Sequence, residues 1–189
     1  MLAIAPMGAA PGAVLSESER TVAAAFRLSV ASVAAIPEPA GAFSPRRGQW
    51  SAVAFLETLL AAVPAAADRL LGVTERDLFV PVLSFVFGQA QLRGKVAVVS
   101  LARLRPEFHG LPASEAVLSR RAATEAVHEL GHTFGLVHCG DRRCPMSLSI
   151  DLPDLDGKGA VPCASCAALL AGSGEVRRLL ARQEGERLS

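Results

Sequence analysis

Apolar residues in this chain recur with two different periods. Leu2 to Met7 is a continuous apolar run of strand length, and Leu28 to Ile36 alternates well enough for a second strand. Between them, Ser16 to Arg27 opens with polar residues and continues in an alanine-rich body, which predicts a helix. Ser51 to Val63 has apolar residues at helical spacing, with Ser51 placed to cap it. Three runs rich in β-branched and aromatic residues come next, Arg69 to Val80, Leu83 to Leu92 and Lys95 to Leu104, and the pair Arg93-Gly94 suits a hairpin turn between the last two. From a capping Ser114 and Glu115, good helix formers continue to Phe134, and Gly135 stops them where a left-handed turn is needed. Strand and helix signals thus alternate and end in a hairpin and a long helix. The pattern predicts an α/β (α+β) fold, a mixed sheet with helices packed on it. Pro37 to Trp50 reads as an ordered loop, with an inert connection as the plain reading and a functional loop as the alternative.

Bulk properties narrow the partners. A chain of 189 residues suits a single domain whose core needs no covalent staples, with residues 1–135 carrying sheet and helices and residues 136–189 forming a small C-terminal subdomain. The formal net charge of +1 shows neither a basic excess nor an acidic tail, so nucleic acid and membrane are not expected partners. The stretch before Glu17 is uncharged but lacks a basic start and is broken by Pro6, Gly8, Pro11 and Gly12, so it predicts a buried strand rather than a signal peptide. The most apolar later segment contains Glu57, Pro64, Asp68 and Arg69, unsuited to a membrane span of about 20 residues. A cytoplasmic protein is expected, with a monomer favoured.

The stretch HELGHTFGLVHC, residues 128–139, changes the picture, because it holds three of the four histidines. His128 and His132 are four apart on the predicted helix, so both can offer a ring nitrogen to one cation. Gly135 lets the chain turn so that His138 can return as a third ligand. Three neutral imidazoles leave one position on zinc open to water, whose pKa falls to roughly 7 in such sites, and Glu129 stands beside it as a general base. The ligand set therefore implies hydrolysis of an amide, with Glu129 returning the proton to the leaving amine. Satisfied polar histidines on a helix are the bland rival, and a closed structural zinc site is a second.

All four cysteines lie in the last third: Cys139, Cys144, Cys163 and Cys166. Two close pairs separated by 18 residues suit a tetrahedral thiolate zinc site, since each pair supplies two ligands from one turn. Two disulfides are the alternative. Because His138 and Cys139 are neighbours, two bound metals would sit within about 14 Å of each other.

HELGHTFGLVH resembles the metzincin zinc metallopeptidases. Extended through CGDRRCPM to CASC, it resembles the archaemetzincin (archaelysin) family, which joins that motif to a four-cysteine zinc site; DLFVPVLSFVFGQAQLRGKVAVVSLARL is similar to the family's sheet region. The resemblance implies a metzincin-like twisted mixed sheet with an antiparallel edge strand, placed within Leu83 to Gln91, along which peptide substrate pairs. It implies two zinc ions per chain: a catalytic one on His128, His132 and His138 with Glu129 as base, and a structural one on Cys139, Cys144, Cys163 and Cys166. It also implies that Met146 forms a methionine turn beneath the catalytic metal. The 16 residues between Met146 and Cys163 are about one fewer than the family pattern, which bears on loop shape.

The chain has no tyrosine, so an extra tyrosine ligand or oxyanion donor is impossible here, which leaves zinc, backbone amides or His109 for that task, with a surface-loop residue as the plain reading of His109. Glu125 and Asp141, close to the motif, read as solvated charges. The leading expectation is a zinc-dependent peptidase acting on peptides or proteins. The alternative is a non-catalytic zinc module that binds peptide or a protein partner on the same fold, and a thiol redox or metal-storage protein is a third.

Overall fold

The computed structural model describes residues 1–188. Its main sheet contains β1 (Leu2–Met7), β2 (Val30–Ser32), β5 (Arg69–Thr74), β7 (Gly88–Ala90) and β8 (Val96–Ser100), in the order β2-β1-β5-β8-β7. The first four strands of that order run parallel, and β7 closes the edge antiparallel to β8. Strands covered on both faces read as unbroken apolar runs, which is why β1, β5 and β8 were legible. Their side chains alternate between two cores. Leu2, Ile4, Leu71, Val73, Ala97 and Val99 join one apolar cluster, whereas Ala3, Ala5, Met7, Leu70, Val96 and Val98 join the other.

The helix α2 (Ala52–Ala61) covers the second cluster with Phe55 and Leu59. The first cluster is covered by α1 (Gly12–Phe26) and α3 (Glu115–Thr133). The first of these begins four residues earlier than the sequence predicts. Its buried stripe of Val14, Ser18, Val22 and Phe26 starts upstream of Ser16, so burial rather than a polar cap sets the start. The long helix has the predicted ends: Ser114 Oγ accepts from Val117 N at 3.3 Å, and Gly135 adopts φ of 89°.

Two predicted strands are broken. Leu28 to Ile36 is regular only over β2, although Val33 N and Ile36 N still donate to Ile4 O and Pro6 O at 2.9 Å. Arg69 to Val80 divides between β5 and β6 (Leu78–Phe79), which belongs to a second sheet, β3 (Phe43–Ser44), β4 (Gln49–Ser51) and β6. The chain turns between them because Arg76 N donates to Thr74 Oγ1 at 3.2 Å, while Glu75 and Asp77 pair with Arg105 and Arg103. The segment from Pro37 to Trp50, whose plain reading is an inert loop, thus contains a small hairpin. It also braces the chain beyond β6: Arg47 donates to Leu83 O at 3.1 Å and Gln49 Nε2 to Ser84 O at 2.9 Å.

The predicted strand Leu83 to Leu92 shrinks to β7, since residues 81–87 take an irregular path whose isolated bridge joins Val86 to Leu78. The predicted hairpin turn is present, with Arg93 at φ of 57° and its N–H donating to His132 O at 3.0 Å. After α3 come α4 (Leu152–Asp156), α5 (Ala164–Gly172) and α6 (Gly174–Leu188). The last returns to the sheet: Glu175 pairs with Arg69 at 2.7 Å, and Val176 and Leu179 enter the same apolar cluster as α1 and α3. Among the described residues no helix is long and apolar enough to cross a membrane.

Candidate active site

The last turns of α3 place His128, Glu129 and His132 beside β7. His128 Nδ1 donates to Pro145 O at 2.7 Å and His132 Nδ1 to Leu136 O at 2.8 Å. A carbonyl can only accept, so both Nδ1 atoms carry the proton and both Nε2 atoms present lone pairs, 3.1 Å apart. His138 returns after the Gly135 turn, its ring centroid 5.4 Å from that of His128 and 5.1 Å from that of His132. The three ligand nitrogens lie within 4.8 Å of one another. Lone pairs converging in this way repel unless a cation lies between them, and tetrahedral zinc at its usual Zn–N length sets nitrogens about 3.3 Å apart. The residues fit zinc. Burial lowers the pKa of all three, and drives that of His128 to about 3, which keeps the rings in the neutral form that binds metal.

Glu129 is buried against β7; burial and then Glu125 raise its carboxyl, and a cation held by the histidines would oppose that shift and favour the carboxylate. A Cβ on Gly88 would stand 2.6 Å from Glu129 Cγ and Oε1, so only glycine lets the strand pass over this carboxylate. Gly88→Ala should push the carboxylate aside, lowering peptide cleavage by about 100-fold while metal content and fold persist; unchanged kcat would contradict this contact. A Cβ on Gly131 would likewise collide with the Sδ of Met146, a fully buried residue whose flanking Pro145 carbonyl holds His128.

The histidines, Glu125 and Glu129 line a cleft of about 610 Å3 whose other walls include residues 83–90 and 148–150. Such a volume takes an extended peptide segment.

The four cysteines converge beside this cleft. All are free thiols with sulfurs within 4.8 Å of one another, and Cys139 Sγ lies 3.7 Å from Cys163 Sγ, so the disulfide alternative is not found. Cys163 and Cys166 sit at the start of α5, where the backbone N–H of Cys166 pulls the Cys163 thiol down to about 7. Asp141 N donates to Cys139 Sγ and Cys163 N to Cys144 Sγ, both at 3.4 Å. Burial raises the Cys144 and Cys166 thiols, so a bound cation is what would hold the buried sulfurs as thiolates, the form that ligates zinc.

The model of peptidase family M54 matches residues 23–171. The chain belongs to peptidase family M54. It is 46% identical over 136 residues to archaemetzincin of Methanocaldococcus jannaschii, covering 72% of this chain and 74% of that one. Identity to archaemetzincin of Pyrococcus furiosus is 38% over 186 residues, 94% of this chain and 97% of the other. The crystal structure of Methanopyrus kandleri archaemetzincin matches with a TM-score of 0.80 and 36% identity over 95% of this chain and 94% of that one. A zinc-dependent peptidase from Methanocorpusculum labreanum matches with a TM-score of 0.83 and 30% identity over 90% of this chain and all of that one, 100%.

In this M54 member one residue near the motif, Glu125, departs from expectation, whereas His109 and Asp141 lie on the surface. His109 is exposed, holds Arg103 O at 2.9 Å and is not among the residues that line the cleft. Asp141 is exposed and organises the cysteine turn, accepting from Arg143 N at 3.0 Å. Glu125, expected to be solvated, is buried in the cleft wall because α3 is covered on nearly every side. Lys158 carried no sequence signal, yet its buried ammonium donates to Pro145 O at 3.3 Å and to Ser147 O, bracketing Met146.

Burial raises the Glu125 carboxyl to about 7. The folded protein therefore holds a proton there that the unfolded chain loses near 4.5, the ordinary glutamate value, so this stabilisation is complete at low pH and disappears as pH rises to about 7. At matched metal content, Glu125→Gln should equal the wild type in stability near pH 4 and exceed it by about 3 kcal/mol near pH 8.5. Denaturant unfolding at the two pH values tests this, and a wild type more stable at the higher pH would contradict it.

Proposed function

We propose that this zinc-dependent peptidase hydrolyses peptide bonds with Glu129 as general base, one zinc being held by His128, His132 and His138 and a second by Cys139, Cys144, Cys163 and Cys166. The observation that carries the reading is the buried Glu129 carboxyl beside three neutral imidazoles whose nitrogens converge at the floor of a peptide-sized cleft. Zinc in such a setting supplies a Lewis acid that acidifies water and polarises a carbonyl. Glu129 then takes the proton of the attacking water and passes it to the departing amine. His128 and His132 are kept in one tautomer and orientation by Pro145 O and Leu136 O.

Substrate lies along β7. Phe87 O and Gln91 N are bonded to Ser100 N and Val96 O, so by alternation the main-chain groups of Gly88 and Ala90 point away from the sheet into the cleft. A peptide pairing with that edge is read through its backbone. We also propose that residues 1–189 work as a single domain, supported by the one apolar cluster that runs from Leu2 to Leu179.

The protein loaded with zinc should cleave members of a mixed peptide pool, lose that activity after chelation and regain it with added zinc. Mass spectrometry of the pool reads the outcome, and cleavage that persists in fully chelated protein would overturn the proposal.

A further inference from the structure

The cleft holds polar groups for which the hydrolysis step has no use. Glu125, one turn before Glu129 on α3, is 3% exposed, lines the cleft and makes no hydrogen bond or ion pair with any described residue. Ser149 Oγ, in the segment after Met146 that forms another wall, is fully buried without a partner. Lys158 attracts Glu125 through space, but its ammonium is directed at Pro145 O and Ser147 O and does not satisfy the carboxyl. Buried polar atoms left unpaired are uncommon in native proteins, and in a binding cleft they mark the place of a ligand's complementary atoms.

We propose that Glu125 is a specificity-determining residue that binds a cationic hydrogen-bond donor of the substrate, an ammonium or a guanidinium. The inference rests on the peptidase reading above. The cleft lining suits a group with an apolar stem and a charged tip: Leu148 and Ile150 are 56% and 72% exposed, Phe87 and Val86 are buried apolar lining, and Glu125 is more deeply buried than either. Lysine and arginine have this build, with methylenes to cover the walls and a head that reaches a buried carboxylate. Ser149 Oγ, which lines the same cleft, is free to accept a further hydrogen bond from substrate. A neutral side chain of equal length leaves Glu125 unpaired, and an acidic one meets two carboxyls. The same ammonium chemistry is available at a peptide's amino terminus, so two sources have to be told apart.

Peptides differing at one position beside the scissile bond, lysine, norleucine or glutamate, each with a free or an acetylated amino terminus, separate them. The lysine peptide should be cleaved with kcat/KM about 10-fold or more above its norleucine twin, with glutamate last. If the advantage instead tracks the free amino terminus, Glu125 reads chain ends. Glu125→Gln should bring the ratio close to one, and Glu125→Asp, which keeps the charge, should preserve a preference. Binding of the same peptides to Glu129→Gln protein, monitored by fluorescence anisotropy, should show the same order without turnover. Equal kcat/KM and equal binding across all arms would overturn the proposal, as would a preference that survives Glu125→Gln. Failure of the peptidase reading looks different: no peptide is cleaved by zinc-loaded wild type, whatever the binding order.

Discussion

Exchange of Glu129 for glutamine should lower kcat by about 10²–10⁴-fold, the range a positioned general base contributes, while zinc content stays as in the wild type. The glutamine occupies the same space beneath Gly88, so the strand and cleft need not move. It cannot take a proton from water. The histidine nitrogens, held by Pro145 O and Leu136 O, do not depend on the carboxylate for their orientation. Single-turnover measurements on a peptide found by the pool assay, together with metal analysis, test this. Equal rates in variant and wild type would mean that Glu129 is not the base, or that the cleavage came from a contaminant. Loss of zinc from the variant would show a structural effect in place of a chemical one.

Joint replacement of Cys163 and Cys166 by serine should remove the metal of the cysteine site, halving zinc per chain, and abolish turnover. Thiolate zinc sites contribute on the order of 10 kcal/mol to the folding of the segment they close. Here that segment reaches directly into the cleft. Cys139 comes directly after His138 in the chain, and its N–H donates to Met146 O at 2.9 Å; the residue before Met146, Pro145, supplies the carbonyl that orients His128. Freeing the cysteines therefore releases one histidine and the support of another. The unfolding midpoint should fall by about 10 °C or more. Calorimetry and metal analysis read these effects, and a double variant that still turns over peptide would refute the coupling of the two sites.

Much of the site was legible because it is written in local spacing. His128 and His132 share a helix face whatever surrounds the helix, Gly135 and Ser114 act on their own turns, and paired cysteines on short loops can converge on one point. Glu125 was misread for the same reason inverted. Its position on α3 specifies a direction, whereas its burial depends on β7 and the segment after Met146, which arrive from elsewhere in the chain. Arg69 to Val80 looked like one strand because β-propensity carries no record of which sheet a residue joins. The need for glycine at 88 and 131 is visible only when a strand and a methionine are seen lying on the helix.

The amino-acid order alone determined the candidate ligands, their spacing, the helix that bears two of them and the alternating α/β plan, since each comes from the geometry of a single element. Tertiary structure decided how deep Glu125 and Lys158 lie, which main-chain groups of β7 are left unpaired by β8, and how the cysteine turn lies against the segment that holds His128. These are contacts between elements far apart in sequence, and no local period encodes them.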